Sequence, residues 1–400
     1  MSRSDAMFVQ LPPDVLYVVC SYCDIETLGR LSCVCKRFNA FLKQDYIWSR
    51  RCKNIVATNQ SDSRMLERSR HVLQPAEKCW QSILWQTGRY RERVLLQHYT
   101  IYIPWLQLER DVLWYSKGAV ILKYRRTEDG GFGQSALVKL QGHADDIGHF
   151  VCKDGLVVSG GNDGSLFIWN AAQGSLVHNR LDCADKAINS VDYSNTIVVT
   201  GSQDTTVKVW RLNADSSSTL RYTIPIDDRV WSVALLESNG ILLTGSAGCN
   251  GVAPLQAFDL STGALITSLG TSYRNGAGVL HVYPETPVEL LSCGYDTFVR
   301  LWDLRCPTRC VSAWEDPHDS AVYCLATDHN VTVLSGTNRY GVVRLWDKRM
   351  TTPVKMYYVG RGNSPAYSLA FDPCYMYVAL DRSLNMLSFT GSSWTPSSHQ

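Results

Sequence analysis

The chain has 400 residues, of which 45% are hydrophobic and 19% charged, and its net charge is +2 at pH 7. This length suits two domains, and the near-neutral charge gives no sign of a nucleic-acid or membrane partner. Since the sequence has no apolar run of 18 residues and no signal-peptide pattern at its start, we expect a cytoplasmic or nuclear protein whose 14 cysteines are reduced.

Two or three short helices are predicted near the amino terminus. Residues 1–10 are short and polar, and we expect them to form a disordered lead. In residues 11–52, the prolines at positions 12 and 13 suit a helix start. Asp24 can cap a second helix whose apolar positions extend to Phe38. A helical cluster of this size buries its own apolar surface poorly, so we expect it to dock on a partner helical bundle.

Four cysteines in this segment allow a second interpretation. Cys20 and Cys23, followed by Cys33 and Cys35, have partial zinc-ligand spacing. All of them except Cys33 also occupy positions where the predicted helices need apolar residues. The pattern favours small hydrophobic side chains over a metal site, and we predict no metal.

Residues 53–92 predict a helical linker. The stretch is polar and compatible with helix, with Met65, Leu66 and Val72 in a modest apolar stripe. We expect Pro75 to break this stripe, because proline cannot continue a helix from its interior.

A repeat dominates the rest of the chain. Residues 142–170 contain two apolar runs separated by an Asn-Asp-Gly turn, which predicts two strands of a hairpin. The residue that ends the second run recurs at spacings of 41 to 48, as Tyr124, Trp169, Trp210, Phe258, Trp302, Trp346 and Leu387. A period of about 40 to 45 residues with four short strands per unit predicts a β-propeller, here over residues 93–391 with seven blades.

Polar residues inside the best repeat form a possible hydrogen-bonded chain. His143, Ser159, Asp163 and Trp169 could connect an indole N–H to a hydroxyl, an imidazole and a carboxylate. The first three are also the residue types of a hydrolase triad. Serine or threonine recurs at the position of Ser159 in other repeats, so we interpret the set as buried scaffolding.

The seventh repeat is one strand short. Only three strands fit between residue 367 and the polar tail at 392–400, and an open sheet edge invites aggregation. We predict that Arg93–Tyr99 supplies the fourth strand and closes the ring.

Three groups of residues carry a family resemblance. Leu11-Pro12, the run 31–38 and Trp48 look like an F-box, although Cys23 stands where that family usually has leucine. The Trp-Asp pairs at 302–303 and 346–347 resemble WD repeats, and Trp85–Gly88 resembles the element that joins the two parts. The chain is thus similar to F-box and WD-repeat proteins, most of all to the dactylin type. The resemblance implies a mainly β fold, in which a seven-bladed WD-repeat β-propeller follows a small all-α F-box domain and a helical linker.

This resemblance also implies partners for the F-box. Such domains bind a Skp-type adaptor and, through it, a cullin and a RING protein. The candidates for the contact or its supporting core are Leu11, Pro12, Leu16, Leu31, Val34, Cys35 and Trp48.

In similar propellers one face is formed by the residue early in each innermost strand and by the residue before the turn aspartate. Carried over, these positions give Asn162, Asn189, Gln203, Arg229, Trp231, Tyr295, Tyr323, Arg339 and Tyr367. Aromatic and amide side chains are typical of a protein-recognition surface. Relatives that read phosphorylated motifs cluster arginines there, whereas this set contains two.

The resemblance therefore implies a non-catalytic substrate receptor of a ubiquitin ligase, without a cofactor, that directs an unknown protein to degradation. The sequence lacks the phosphate-loop, serine-hydrolase and zinc-protease motifs, and we expect the glycine-rich segment 130–135 to be a turn. Two alternatives stay open, a scaffold that binds the adaptor without degradation and an enzyme that uses the propeller as a platform.

Overall fold

The computed structural model describes residues 10–52, 55–213, 217–270 and 273–390, without the side chains of 179–182. Residues 1–9 of the predicted lead and the predicted tail at 392–400 lie outside this range. Among the described residues, six helices precede the sheets: α1 Pro13–Tyr22, α2 Ile25–Ser32, α3 Lys36–Leu42, α4 Asp45–Ser49, α5 Ser63–Arg68 and α6 Pro75–Thr87. Within the described residues, no helix combines the length and apolar character that crossing a bilayer requires.

Helices α1 to α4 enclose a small core of their own. Asp24 caps α2 by accepting a hydrogen bond of 2.7 Å from the amide of Thr27, as predicted. The expectation that this helix extends to Phe38 is wrong, because α2 ends at Ser32. Cys35 has an extended backbone and caps α3, its sulfur accepting from the amide of Phe38.

Helix α6 belongs to two cores at once. It begins at Pro75, which occupies the first turn instead of breaking a helix. Cys79 of α6 is buried among the α1–α4 side chains, whereas Trp85 is buried in the propeller. The ring of Trp85 stacks on Phe389 at 3.8 Å, and its Nε1 donates to the carbonyl of Pro373 at 2.8 Å. This helix therefore fixes the first domain to the second.

The remainder forms seven antiparallel four-stranded sheets, which confirms the predicted propeller. Blade one contains Leu106–Leu108, Val112–Lys117, Val120–Arg125 and Val138–Gln141; blade two, Ile147–Lys153, Leu156–Gly161, Ser165–Asn170 and Leu176–Asp182; blade three, Ile188–Ser194, Ile197–Ser202, Thr206–Leu212 and Ser218–Pro225. Blade four contains Val230–Leu236, Ile241–Ser246, Leu255–Asp259 and Leu265–Ser268, with a short 3₁₀ helix at Glu237–Asn239. Blade five contains Val279–Pro284, Glu289–Gly294, Phe298–Asp303 and Ser312–Glu315; blade six, Val322–Thr327, Thr332–Thr337, Val342–Asp347 and Lys355–Tyr358.

Blade seven joins the two ends of the propeller. Its strands Ala366–Phe371, Tyr375–Leu380 and Ser383–Ser388 are completed by Arg91–Gln97, which pairs antiparallel with Ser383–Ser388. The predicted closing strand is therefore present, beginning two residues earlier than expected. Its Glu92 accepts a 2.6 Å hydrogen bond from Asn385, so that side chains reinforce the closure.

The innermost strand of each blade runs between two faces of the ring. We call the face where these strands begin the cavity face and the face where they end the linker face. On the linker face, Asn59 donates to the carbonyl of Asp328 and Arg64 to that of Glu285. Both acceptors lie just after an innermost strand. The segment that contains α5 and α6 therefore covers the linker face and leaves the cavity face open.

Candidate functional site

A cavity of about 750 Å³ opens on the cavity face, over the axis of the ring. Seven of the nine side chains expected on this face line it, namely Asn162, Asn189, Gln203, Trp231, Tyr295, Tyr323 and Tyr367. Arg229 and Arg339 are exposed and do not belong to its lining. Arg229 precedes the innermost strand of blade four, and Arg339 lies in a turn outside the strands of blade six. The two predicted arginines therefore do not contribute to this cavity.

A bulge explains why the cavity-lining residues lie where they do. In blades two to seven the pairing of the innermost strand shifts at its second residue. These unpaired positions hold Gly148, Asn189, Trp231, Leu280, Tyr323 and Tyr367, and all of them line the cavity. A bulge re-aims the side chain of the extra residue. The same bulge occurs in six blades and places these residues around the mouth of the cavity, which we call the rim.

The rim has an aromatic half and a polar half. Blades four to seven contribute Trp231 and three tyrosines. The ring of Tyr323 lies 6.1 Å from Tyr295, nearly perpendicular to it, and 5.9 Å from Tyr367. Burial raises the pKa of Tyr323 and of Tyr367, so these hydroxyls stay neutral at physiological pH.

Blades two and three supply the polar half of the rim. Gln203 donates to the side-chain oxygen of Asn189 at 3.1 Å, and Asn189 donates to the carbonyl of Val230 at 2.7 Å. These amides are therefore held in place before any ligand arrives. Asp146 also lines this half, where burial, followed by the neighbouring Asp145, raises the pKa of its carboxyl.

Below the rim lie three rings that the sequence analysis missed. Trp105 packs between two histidines, with ring centres 4.2 Å from His149 and 5.4 Å from His281. Burial lowers the pKa of His149 to about 3 and that of His281 to about 4, so both are neutral. Their Nδ1 atoms accept from backbone amides, which leaves the proton on Nε2. Both histidines occupy the third position of an innermost strand, a recurrence that the sequence does show.

Asp192 lies deeper still, toward the linker face. Each of its carboxylate oxygens accepts a 2.7 Å hydrogen bond from a backbone amide, one from Tyr193 and one from Leu235. Burial nevertheless raises the pKa of Asp192 to about 6. Among the described residues that line the cavity, none is a lysine or an arginine. The cavity therefore combines aromatic faces with two carboxyl groups.

The helical domain offers a separate apolar surface. Val15, Val18, Tyr22 and Val34 have 43%, 54%, 87% and 63% of their surface exposed, although apolar side chains of this size are normally buried. The first three were missed from the sequence, where they lie on the side of α1 opposite its buried residue Leu16. Exposed apolar side chains that lie together are typical of surfaces that contact other proteins.

The predicted adaptor-binding residues separate into three groups by exposure. Leu16 and Trp48 are buried within the helical core, and the indole of Trp48 donates to the carbonyl of Leu42. Leu11, Leu31 and Cys35 are half-buried, whereas Pro12 and Val34 are exposed. Leu16 and Trp48 are thus placed to support the surface, and Pro12 and Val34 to form it.

The polar set of blade two is a continuous hydrogen-bonded chain. Ser159 accepts from Nε1 of Trp169 at 3.1 Å and lies 2.9 Å from Nε2 of His143, whose Nδ1 lies 3.3 Å from Asp163. Burial alone would raise the pKa of Asp163, but hydrogen bonds from Ser165 and a backbone amide lower it to about 2. Ser159 is fully buried, and a nucleophile has to be accessible to its substrate.

Blade six departs from this pattern. Its Trp346 donates to Ser335 at 2.8 Å, as in blade two. His318, however, lies 2.7 Å from Nη2 of Arg344, and Arg344 forms a buried ion pair with Asp316. In blade six a buried arginine thus takes the place that the histidine chain has in blade two.

The four cysteines considered as zinc ligands have other surroundings. Cys20 is buried in the helical core, Cys23 donates to the carbonyl of Val19, and Cys35 caps a helix. In the part of the chain that the structure describes, no three His, Cys, Asp or Glu side chains are grouped to hold a metal ion.

Comparison with known proteins agrees with this two-part architecture. Residues 8–54 match the F-box-like family model, and residues 134–170 and 174–211 match the model of the WD domain, G-beta repeat. F-box/WD repeat-containing protein 4 of Homo sapiens is 38% identical over 384 residues, which cover 95% of this chain and 92% of the relative. Its Mus musculus counterpart is 37% identical over the same length. Pre-mRNA-processing factor 19 homolog 2 of Arabidopsis thaliana is 24% identical over 56% of this chain and 41% of its own.

The two mammalian relatives extend across both the helical domain and the propeller. Their similarity confirms the predicted resemblance to the dactylin type. An F-box, a packed linker and a seven-bladed propeller follow one another along this chain, and the two relatives match it over 95% of its length. The chain belongs to the F-box/WD repeat protein family.

Proposed function

We propose that this protein is the substrate-recognition subunit of a ubiquitin ligase built on a Skp-type adaptor, a cullin and a RING protein. F-box/WD repeat proteins are in general non-catalytic adaptors of this kind. The F-box binds the Skp-type adaptor, and the propeller binds a target protein that is then ubiquitinated and degraded.

One observation supports this proposal above the others. The F-box and the cavity lie on opposite faces of the ring, and a single helix, α6, is buried in both cores. The innermost strands between the two faces have six or seven residues in most blades, which corresponds to about 20 Å. A target on the cavity face is thereby held at a set distance from the ligase.

The gain from this arrangement is effective concentration. A target bound at the propeller meets the ubiquitin carrier as if the two were parts of one molecule, and its lysines are presented repeatedly while it stays bound. No proton transfer or covalent intermediate on this chain is required.

The test separates the two surfaces by mutation. We expect the full-length chain to co-purify with the Skp-type adaptor and the cullin, and the Leu11→Ala/Pro12→Ala variant to lose at least tenfold of that adaptor. The Trp231→Ala variant should keep the adaptor and lose its target proteins. Ubiquitination of co-purifying proteins in vitro should require both surfaces.

Two results would contradict the proposal. Adaptor binding without ubiquitination of any co-purifying protein would favour the non-degradative scaffold. Ubiquitination that is equal in wild type and in Leu11→Ala/Pro12→Ala would separate the activity from the F-box altogether.

A further inference from the structure

We propose that the cavity binds its target through one long cationic side chain, a lysine or an arginine, that enters the channel from an extended peptide segment. This inference rests on the proposed function, since it names the chemical feature by which the propeller selects its protein target.

The first argument is the aromatic half of the rim. Trp231, Tyr295, Tyr323 and Tyr367 form an arc over four consecutive blades, and Trp105 continues it below. Faces of aromatic rings attract a cation, and the attraction is stronger where water is excluded. An uncharged aliphatic side chain would be stabilised by burial against the rings but would lack this electrostatic attraction.

The second argument is charge. Asp146 at the rim and Asp192 below it are the carboxyl groups of the cavity lining, and His149 and His281 are neutral. Lys153 lowers the pKa of Asp192 by its charge, but its ammonium group is already paired with Glu237. A cationic ligand would thus meet a negative channel, whereas a phosphate or a carboxylate would meet two like charges.

The third argument is depth. Asp192 lies three residues along the innermost strand from Asn189 at the rim, which is about 10 Å. Among natural side chains, those of lysine and arginine carry a charge at the end of a long, flexible stem. A backbone held at the rim can therefore direct such a charge toward Asp192 while its stem lies against the aromatic rings.

Two arginines of the linker lie near the far end of the channel, and both are engaged. Arg64 is paired with Asp62 and donates to the carbonyl of Glu285. Arg68 donates to the carbonyl of Thr327. They are bound to the linker face, beyond Tyr283, and do not line the cavity.

An apolar strip beside the cavity gives room for the rest of the peptide. Tyr99, Ile101 and Ile103 have 101%, 55% and 54% of their surface exposed, and Ile103 also lines the cavity. The strip is held by a 2.9 Å hydrogen bond from the amide of Tyr102 to the carbonyl of Asp381. We expect apolar residues next to the cationic one in the bound segment.

The experiment uses fluorescent heptapeptide libraries with a fixed central residue and randomised flanks. Fluorescence anisotropy with the full chain should show at least tenfold tighter binding when the centre is lysine or arginine than when it is norleucine. Norleucine matches the length of the lysine stem without its charge. Glutamate at the centre should bind most weakly.

Variants identify the groups responsible. Asp146→Asn and Tyr323→Leu should each bring the ratio between lysine and norleucine libraries toward one, with unchanged melting temperatures. Asp192→Asn should lower the ratio in the same way. If this buried substitution prevents folding, Asp146→Asn and Tyr323→Leu still test the inference. Arg221→Ala changes an exposed residue on the outermost strand of blade three, away from the cavity, and serves as the control with an unchanged ratio.

Equal binding of the lysine and norleucine libraries, absent binding of both, or tightest binding of glutamate would overturn the inference. The assay contains neither adaptor nor ubiquitin. If the expected difference in peptide binding is absent while ubiquitination is intact, only the inference of a cationic ligand side chain is refuted. If adaptor binding fails, only the proposed function is refuted.

Discussion

Ser159 shows how much one buried hydroxyl can control in this fold. It is fully buried and serves both the indole of Trp169 and the imidazole of His143. Ser335 in blade six is also fully buried but is bonded only to the indole of Trp346. The two serines differ in the number of partners and hardly in burial, which makes them a matched pair.

We predict that Ser159→Ala destabilises the protein more than Ser335→Ala does. Each buried polar group left without a partner costs about 1–3 kcal/mol, and the first substitution leaves two such groups while the second leaves one. Thermal melting by circular dichroism at one scan rate measures the difference. Equal melting temperatures in the two variants would show that the chain in blade two does not act as a unit.

Residue positions at the cavity were predictable only where a repeat pattern marked them. The aromatic rim residues Trp231, Tyr323 and Tyr367 occupy one recurring position, the bulged second residue of an innermost strand, and the family resemblance gave that position. Asp192 has no such marker, because its importance depends on the channel around it. Arg229 directly precedes an innermost strand but does not line the cavity, a distinction that its place in the repeat does not reveal.

At the scale of elements, the strand Arg91–Gln97 is the part whose loss has the largest consequence. It forms the fourth strand of blade seven, so that the blade is built from both ends of the propeller. Without it, Ser383–Ser388 would present an unpaired sheet edge, which is a template for aggregation.

We predict that replacing residues 93–99 by a Gly/Ser segment of the same length lowers the melting temperature and causes aggregation. The replaced strand loses its side chains and its preference for extended structure, and the connection to α6 keeps its length. Size-exclusion chromatography with thermal melting checks this result. A monomer with an unchanged melting temperature would contradict it.

Element boundaries were harder to predict than element types. The break between α2 and α3 lies at residues 33–35, where the apolar spacing continues without interruption, and the structure instead uses Cys35 as a cap. Pro75 was interpreted as a stop and is a start, because proline is tolerated in the first turn of a helix and its position relative to the turn is unknown from sequence.

At the scale of the whole molecule, the two domains share little except α6. The helical core includes Cys79 from α6 and side chains from α1 to α4. The propeller core includes Trp85 from α6 and also Val56 and Met65 from the linker before it. Val56 and Met65 of the linker therefore belong structurally to the propeller.

We predict that a chain lacking residues 1–54 keeps the melting temperature of the propeller but no longer binds the adaptor. A chain lacking residues 1–74 should melt at a lower temperature, because it also loses the buried side chains of Val56 and Met65. Calorimetry of the two truncated chains measures this difference. Equal stability would show that the linker contributes nothing to the ring.

The overall architecture was the easiest feature to predict. The sequence pattern that ends in Trp169, Trp302 or Trp346 recurs with a period near 44 residues. Because several repeats predict the same blade, one misread repeat does not change the predicted fold. The packing of the two domains on α6 was harder to predict, because the sequence does not show which face of this helix meets which core.

The two-ended construction of blade seven also sets the order of events on the ribosome. Glu92 bonds to Asn385 across a separation of 293 residues, and at about 5–20 residues per second the second partner follows the first by roughly 15–60 s. Throughout that interval the nascent chain carries finished blades beside an unmatched edge strand. The ring can lock only when the last blade emerges, so chaperones that shield exposed strands have their longest opportunity to act before that moment.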